Sequence, residues 1–225
     1  MLGAEASRPR FVVSWERVWF PGGGDPPAHL PAAGGRAVSE PGAPDGLRGR
    51  LLVATPSVGD PNFAGTVVLM LEHSDDGAMG VVLNRPSEID VALHLPGWTD
   101  VVVSPSVVFL GGPVSPNAAL CLARVESYLH EGWDPLVGQV GTVDLNLDPD
   151  RAVPGVAEVR IFAGYAGWAP RQVEAEIADG GWFVVDADPG DALSPEPDEL
   201  WRDVLRRQKG TVSLFADYPE DPAMN

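Results

Sequence analysis

The sequence predicts an α/β domain over residues 47–225, and three observations carry that prediction. Short apolar runs of strand length recur, each bounded by Gly, Pro, Asn or Asp. Two stretches, 170–178 and 200–207, place apolar residues at helical spacing. Residues 1–46 hold eight Gly and seven Pro and, apart from an apolar piece at 11–20, no such pattern. They are read as a disordered N-terminal extension, with a docking tail as the alternative.

The elements follow in order. Leu51-Leu52-Val53-Ala54 is a short buried strand, ended by Thr55-Pro56. Residues 66–71 are rich in β-branched residues and apolar on both faces, as an interior strand is. Asp75-Asp76-Gly77 turns the chain into a third strand at 79–83, which makes a hairpin. Asn84-Arg85-Pro86 ends that strand, because Pro cannot continue a central ladder. Ser87-Glu88-Ile89-Asp90 has the form of a capping box opening a short helix through Leu95. Strands follow at 107–110, 119–125 and 156–162. The stretch Gly164-Tyr165-Ala166-Gly167-Trp168 then leads to a helix over 170–178, where Pro170 suits the first turn and Val173 and Ile177 share one face. Residues 182–185 form a strand and 186–199 an acidic, Pro-containing loop. The last helix, 200–207, has Leu200, Trp201, Val204 and Leu205 as its buried stripe. Residues 216–225 read as a surface tail, and the chain holds no internal repeat.

Composition narrows the function classes. The chain has 225 residues, a net charge of −17 and a single lysine, Lys209. Such a surface repels a nucleic-acid backbone unless its few arginines cluster. The one cysteine, Cys121, excludes an intramolecular disulfide framework and a Cys-based zinc site. No aliphatic run approaches the ~18 residues of a membrane span, and the N-terminus lacks a secretory apolar core, so the cytoplasm is the expected compartment.

Three separated motifs carry a family resemblance: Gly80-Val81-Val82-Leu83-Asn84-Arg85-Pro86, Gly111-Gly112-Pro113-Val114, and Gly164-Tyr165-Ala166-Gly167-Trp168 followed by Gln172, Glu174 and Glu176. Ala54-Thr55-Pro56, Asp60, Phe63 and Leu71-Glu72-His73 fit the same pattern. Together they resemble the AlgH/YqgE family of bacterial proteins, from about Gly49 to Asn225. The resemblance implies an AlgH-like mixed β-sheet folded toward a pseudo-barrel with flanking helices. It also implies the family's label of transcriptional regulator, which names a pathway, alginate regulation in pseudomonads, and supplies no mechanism. Many members carry a His in the strand after Gly-Gly-Pro; here Ala119-Leu120-Cys121-Leu122-Ala123 has none.

The motif residues each have a structural and a functional reading. Asn84 can stabilise a turn, and Arg85 can pair with a nearby acid or clamp a carboxylate or phosphate. Gly111-Gly112-Pro113 can be a tight turn or an anion nest, and it lacks the flanks of a P-loop or dinucleotide fingerprint. Tyr165, Gly167 and Trp168 can plug a sheet end or line a contact surface with Gln172 on the next helix. Glu72 and His73 point to opposite faces of a strand, and His29, His94 and His130 are scattered, so no metal set forms. Glu174 and Glu176 diverge on their helix. Cys121 lies in an apolar run and no Gly-x-Ser-x-Gly elbow exists. Arg202, Arg206, Arg207 and Lys209 read as the solvated face of the last helix. No cofactor pattern is present.

The leading expectation is therefore a non-enzymatic regulatory or adaptor protein that engages a protein partner or a small anionic ligand. Its candidate site is Asn84, Arg85, Gly111, Gly112, Pro113, Tyr165, Gly167, Trp168 and Gln172, all near strand ends. The alternatives are direct DNA binding, against which charge and motif content count, and an enzyme on a small anionic substrate. The latter would use Arg85 as clamp and Glu72 or His73 as acid/base.

Overall fold

The computed structural model describes residues 13–14, 46–126, 133–145 and 155–218. Eleven strands among them belong to one curled sheet: β1 (Val13–Ser14), β2 (Arg50–Ala54), β3 (Val67–Ser74), β4 (Gly77–Val82), β5 (Pro86–Asp90), β6 (Val107–Leu110), β7 (Val114–Val125), β8 (Trp133–Val137), β9 (Val140–Val143), β10 (Val156–Trp168) and β11 (Trp182–Asp186). The main order is β11-β2-β3-β4-β10-β7-β9-β8, with β6 beside β10 and β5 beside β6. Only the β6–β10 pairing is parallel among these ladders, so the sheet is mixed as expected. Two α-helices, α1 (Gln172–Ala178) and α2 (Leu200–Arg206), and several 3-10 turns flank it.

The fork in this sheet is β10. Its first half pairs with β7, Ile161 opposite Cys121, and its last three residues pair with β4, Ala166 opposite Gly80. The register breaks between Ala163 and Tyr165, where Gly164 takes φ +70°. That left-handed residue bends the strand at a bulge and lets it serve both halves.

Side-chain alternation shows the result. Along β2 and β3, Leu51, Val53, Val67, Leu69 and Leu71 face the interior of the half-barrel, where Phe109, Leu120, Leu122, Phe162 and α2's Val204 and Leu205 join them. The alternate residues Leu52, Ala54, Val68 and Met70 face outward and are covered by Trp168, Trp182 and α1's Val173. Both faces are buried, which is why these strands read as unbroken apolar runs. A third cluster lies on the outside of the other half. There Ala119, Cys121, Ala123, Val159 and Ile161 sit under the 3-10 turn residues Val91 and Trp98.

The strands at 51–54, 107–110 and 182–185, the β3–β4 hairpin and both helices stand close to where the sequence places them. Four readings change. Residues 86–90 form β5 rather than a helix start. Ser87 Oγ donates to the Val108 carbonyl, and the cap is Asp90, which accepts from the Ala92 amide over a single 3-10 turn. β7 and β10 each run longer than read, so Gly164 to Trp168 is strand, not a loop into the helix. β8 and β9, which the sequence reading did not place, carry Pro135 and Gly141, residues that weaken a strand pattern. The tail is structured to Tyr218 by a 3-10 helix over Gly210–Asp217, with Ala216 buried; residues 219–225 lie outside the described residues. Of the N-terminal extension, Val13 and Ser14 pair antiparallel with Ala119 and Ala118, and the remainder through 45 lies outside the described residues.

Candidate functional site

The three motifs meet at the fork, and they meet through backbone. The Val82 amide donates to the Gly111 carbonyl at 2.9 Å, the Gly111 amide to Ala163 at 2.8 Å, and the Leu110 amide to Arg85 at 2.8 Å. A Cβ on Gly111 would stand 2.3 Å from the Gly164 oxygen, and one on Gly112 (φ +149°) would stand 2.3 Å from the Tyr165 carbonyl carbon. The glycine pair thus admits the β10 backbone itself. Pro113 follows on the surface.

From this junction the side chains go three ways. Asn84 turns to the loop before β3: its Oδ1 accepts from the Val67 amide and its Nδ2 donates to the Gly65 carbonyl, both at 2.9 Å. Arg85 follows the same loop. Its Nη2 donates to the Ala64 carbonyl at 3.1 Å, and it makes no ion pair among the described residues. Partial burial lowers the guanidinium's pKa, while the charge of Asp60 acts the other way. Tyr165 turns into the half-barrel, 1 % exposed, with Gly167 beneath its ring. Its hydroxyl lies beside Ser115 without a hydrogen bond of acceptable geometry, and burial raises its pKa.

Trp168 turns to the opposite face, under α1, whose first residue is the exposed Gln172. The Glu176 carboxylate is the hub there. Its Oε2 accepts from Trp168 Nε1 and Trp182 Nε1, each at 2.9 Å, and its Oε1 accepts from Gln172 Nε2 at 2.9 Å. Gln172 Oε1 in turn accepts from the Ala169 amide, which tethers the end of β10 to the helix start. Phe63 closes the cluster, stacked on Trp168 and edge-on to Trp182. The sequence names Gln172 and Glu176 within the third motif, but not that Glu176 joins two indoles.

Glu174, as expected, diverges from Glu176. It accepts from His73 Nε2 at 3.1 Å, while His73 Nδ1 accepts from the Leu47 amide at 3.3 Å. Both imidazole nitrogens are therefore engaged within the fold. Arg85 adjoins the start of β3, whereas His73 lies six residues beyond Val67 near its far end. Six strand residues span about 20 Å, so the clamp and acid/base pairing of the enzyme alternative is not assembled. Cys121 is fully buried, and burial raises its thiol pKa far above the ordinary range. Among the described residues, no group of three or more His, Cys, Asp or Glu could hold a metal ion. No helix of the described residues is long and apolar enough to cross a membrane.

Two arginines depart from the sequence reading. Arg207 is exposed, as read, but it is also anchored: it forms a bidentate pair with Asp191, which is 6 % exposed, and donates to the Asp186 carbonyl. Arg160 was missed. It is 1 % exposed, lies 4.3 Å over the Phe109 ring and donates from Nη2 to the Ser104 carbonyl, while Nε and Nη1 have no partner. Burial lowers its pKa to about 10, with Glu158 acting the other way. The period-2 count from Phe162 inward was the signal for it.

Comparison with known proteins gives the same architecture. A UPF0301 protein of Streptomyces coelicolor is 50 % identical over 184 residues, covering 80 % of this chain and 95 % of that one. A UPF0301 protein of Mycobacterium marinum is 44 % identical over 185 residues, covering 79 % and 90 %. The crystal structure of protein DIP2367 from Corynebacterium diphtheriae superposes with a TM-score of 0.72 at 33 % identity, over 76 % of this chain and 92 % of that one. The solution structure of the AlgH protein from Pseudomonas aeruginosa gives 0.61 at 30 %, over 80 % and 98 %. The AlgH-like family model matches residues 51–213, from β2 through the last helix, and by that match the chain belongs to the AlgH-like family.

Proposed function

We propose that the chain is a non-enzymatic regulatory or adaptor protein that docks an acidic group, from a protein partner or a small anionic ligand, at Arg85. One observation carries this reading. Arg48, Arg50, Arg124, Arg206 and Arg207 each pair with a carboxylate. Among the described residues, Arg85 has one backbone hydrogen bond and no ion pair, although the chain carries a net charge of −17. A partly desolvated guanidinium with donors to spare suits a planar, bidentate carboxylate or phosphate. Leu110, 41 % exposed and bonded through its amide to the Arg85 carbonyl, supplies apolar surface beside it. The engagement of His73 and the burial of Cys121 support the non-catalytic reading.

The test is affinity capture from native lysate with wild type, Arg85→Ala and Arg85→Lys, each checked for an unchanged melting temperature. A partner lost with Ala and only partly kept with Lys supports docking through the fork of donors. A thermal shift with phosphate or an acidic dipeptide that Arg85→Ala abolishes supports a small anion. Identical behaviour of all three proteins in both assays overturns the proposal.

A further inference from the structure

We infer that the outer edge of β11 accepts an added strand from a partner protein, an extended segment with apolar side chains at alternate positions and basic residues at both ends. The inference is independent of Arg85. It starts from hydrogen-bond direction. The Ala54 amide donates to Thr66 on the β3 side, and the Thr55 amide donates to Gly181 on the β11 side. With Phe183 opposite Val53 and Val185 opposite Leu51, the backbone groups of Phe183 and Val185 face β2. Those of Trp182, Val184 and Asp186 face outward. The Asp186 carbonyl takes a bond from Arg207, and among the described residues no strand lies on that side of β11, which leaves the amide and carbonyl of Val184 without a ladder partner there.

The other described edges are guarded. β5 carries Pro86, a register break and the acids Glu88 and Asp90. β8 carries Pro135 and a register break, and Arg48 holds its Asp134 and the Pro135 carbonyl. The free end of β10 is three residues long and runs into Pro170. These are the devices by which proteins suppress strand addition. β11 is guarded only at its last residue, where Arg207 holds the carbonyl of the exposed Asp186; Trp182 to Val185 pair in unbroken register, without proline or lysine. An edge of this kind recognises extended peptides through main-chain hydrogen bonds, with side chains on alternate faces giving selectivity.

Charge selects the occupant. Exposed Asp179 precedes the strand, exposed Asp186 ends it and exposed Asp188 follows. Arg50, 3.0 Å from Asp186, offsets that one carboxylate in part. A second copy pairing antiparallel would set these acidic ends against each other, on a chain already at −17. A segment with lysine at each end meets the opposite charge instead.

The probe is the synthetic peptide Lys-Val-Thr-Val-Thr-Val-Lys, with its Glu-ended counterpart, titrated against the full chain by amide NMR. The Lys-ended peptide is expected to shift and protect the Trp182, Val184 and Asp186 amides, and to bind about tenfold more tightly than the Glu-ended one. Val184→Pro removes an amide that makes no ladder bond, so its melting temperature stays close to wild type while affinity falls about tenfold or more. Arg85→Ala leaves the titration unchanged, which separates this inference from the Arg85 reading. Unchanged amides in the wild-type chain overturn it, whether or not Val184→Pro folds. So does equal affinity for both peptides, or a dimer of the chain that Val184→Pro abolishes.

Discussion

Glu176 is the place where a single side chain should matter most for stability. Its carboxylate accepts three hydrogen bonds, two of them from the indoles of Trp168 and Trp182, which are 6 % and 5 % exposed. In Glu176→Ala, both indole N–H groups lose their acceptor on a face packed by Phe63 and Val173. An unpaired buried donor costs about 1–3 kcal/mol. Two of them, relieved in part by water at the half-exposed carboxylate position, give about 3 kcal/mol. For a domain of this size that lowers the melting temperature by about 6–12 °C. Glu176→Gln keeps one oxygen for the indoles but sets its amide against the Gln172 amide, and about 1 kcal/mol is the expected loss. The pairing itself is isolated by Trp168→Phe in both backgrounds. In the Ala background that change removes an orphaned donor, so its cost falls by about 1–2 kcal/mol. Urea unfolding followed by circular dichroism measures all four proteins. A Glu176→Ala loss below about 0.5 kcal/mol, or strictly additive Trp168→Phe and Glu176→Ala effects, would refute the hub.

Further expectations come from the same structure. Gly111→Ala drives a methyl to 2.3 Å from the Gly164 oxygen and should abolish soluble folded protein, whereas Gly167→Ala meets nothing closer than 3.5 Å and should stay within about 1 kcal/mol of wild type; expression followed by thermal melting compares them. Asn84→Ala releases the Val67 amide and Gly65 carbonyl and should cost about 1–3 kcal/mol in urea unfolding. Arg160→Met should lie within about 1 kcal/mol of wild type by the same assay, because an incompletely bonded buried cation gives back in desolvation what it loses in contacts. Burial holds the Cys121 thiol pKa far up, so iodoacetamide labelling of the native chain should stay negligible from about pH 7 to pH 9, where a free thiol accelerates. Labelling should appear only in urea, and rapid native labelling would contradict the buried position.

The strands buried on both faces were legible because their composition leaves no alternative. Leu51 to Ala54 and Val67 to Leu71 have apolar neighbours on either side of the sheet, and no loop carries such a run. β5 was misread because Ser87-Glu88-Ile89-Asp90 satisfies a local capping pattern, while its actual hydrogen bond goes to Val108, twenty-one residues away. The same limit hid the fork. A glycine within Gly164 to Trp168 signals a turn locally, and only the β4 and β7 partners reveal a strand that bends. Motif residues were found because they are unusual for a strand. Their roles were not, since Gly111 and Gly112 serve a backbone contact whose other half lies at Gly164 and Tyr165. Arg160 was missed for the converse reason: one arginine among apolar residues looks like a surface position unless the alternation with Phe162 is followed inward.

Sharing β10 between two halves has a consequence for the nascent chain. β4 emerges with its edge open, and Gly80 must wait for Ala166 before that edge closes. At about 5–20 residues per second, synthesis leaves the edge uncovered for roughly 4–17 s. β2, β3 and β4 can form their meander in that time, yet the outward-facing Leu52, Val68 and Met70 have no cover until Trp168 and α1 appear. The chain thus spends seconds as a half-built sheet dependent on whatever shields apolar surface at the ribosome. Substitutions at Gly111 or Gly164, which delay closure of the fork, should therefore register first as lost yield in the cell.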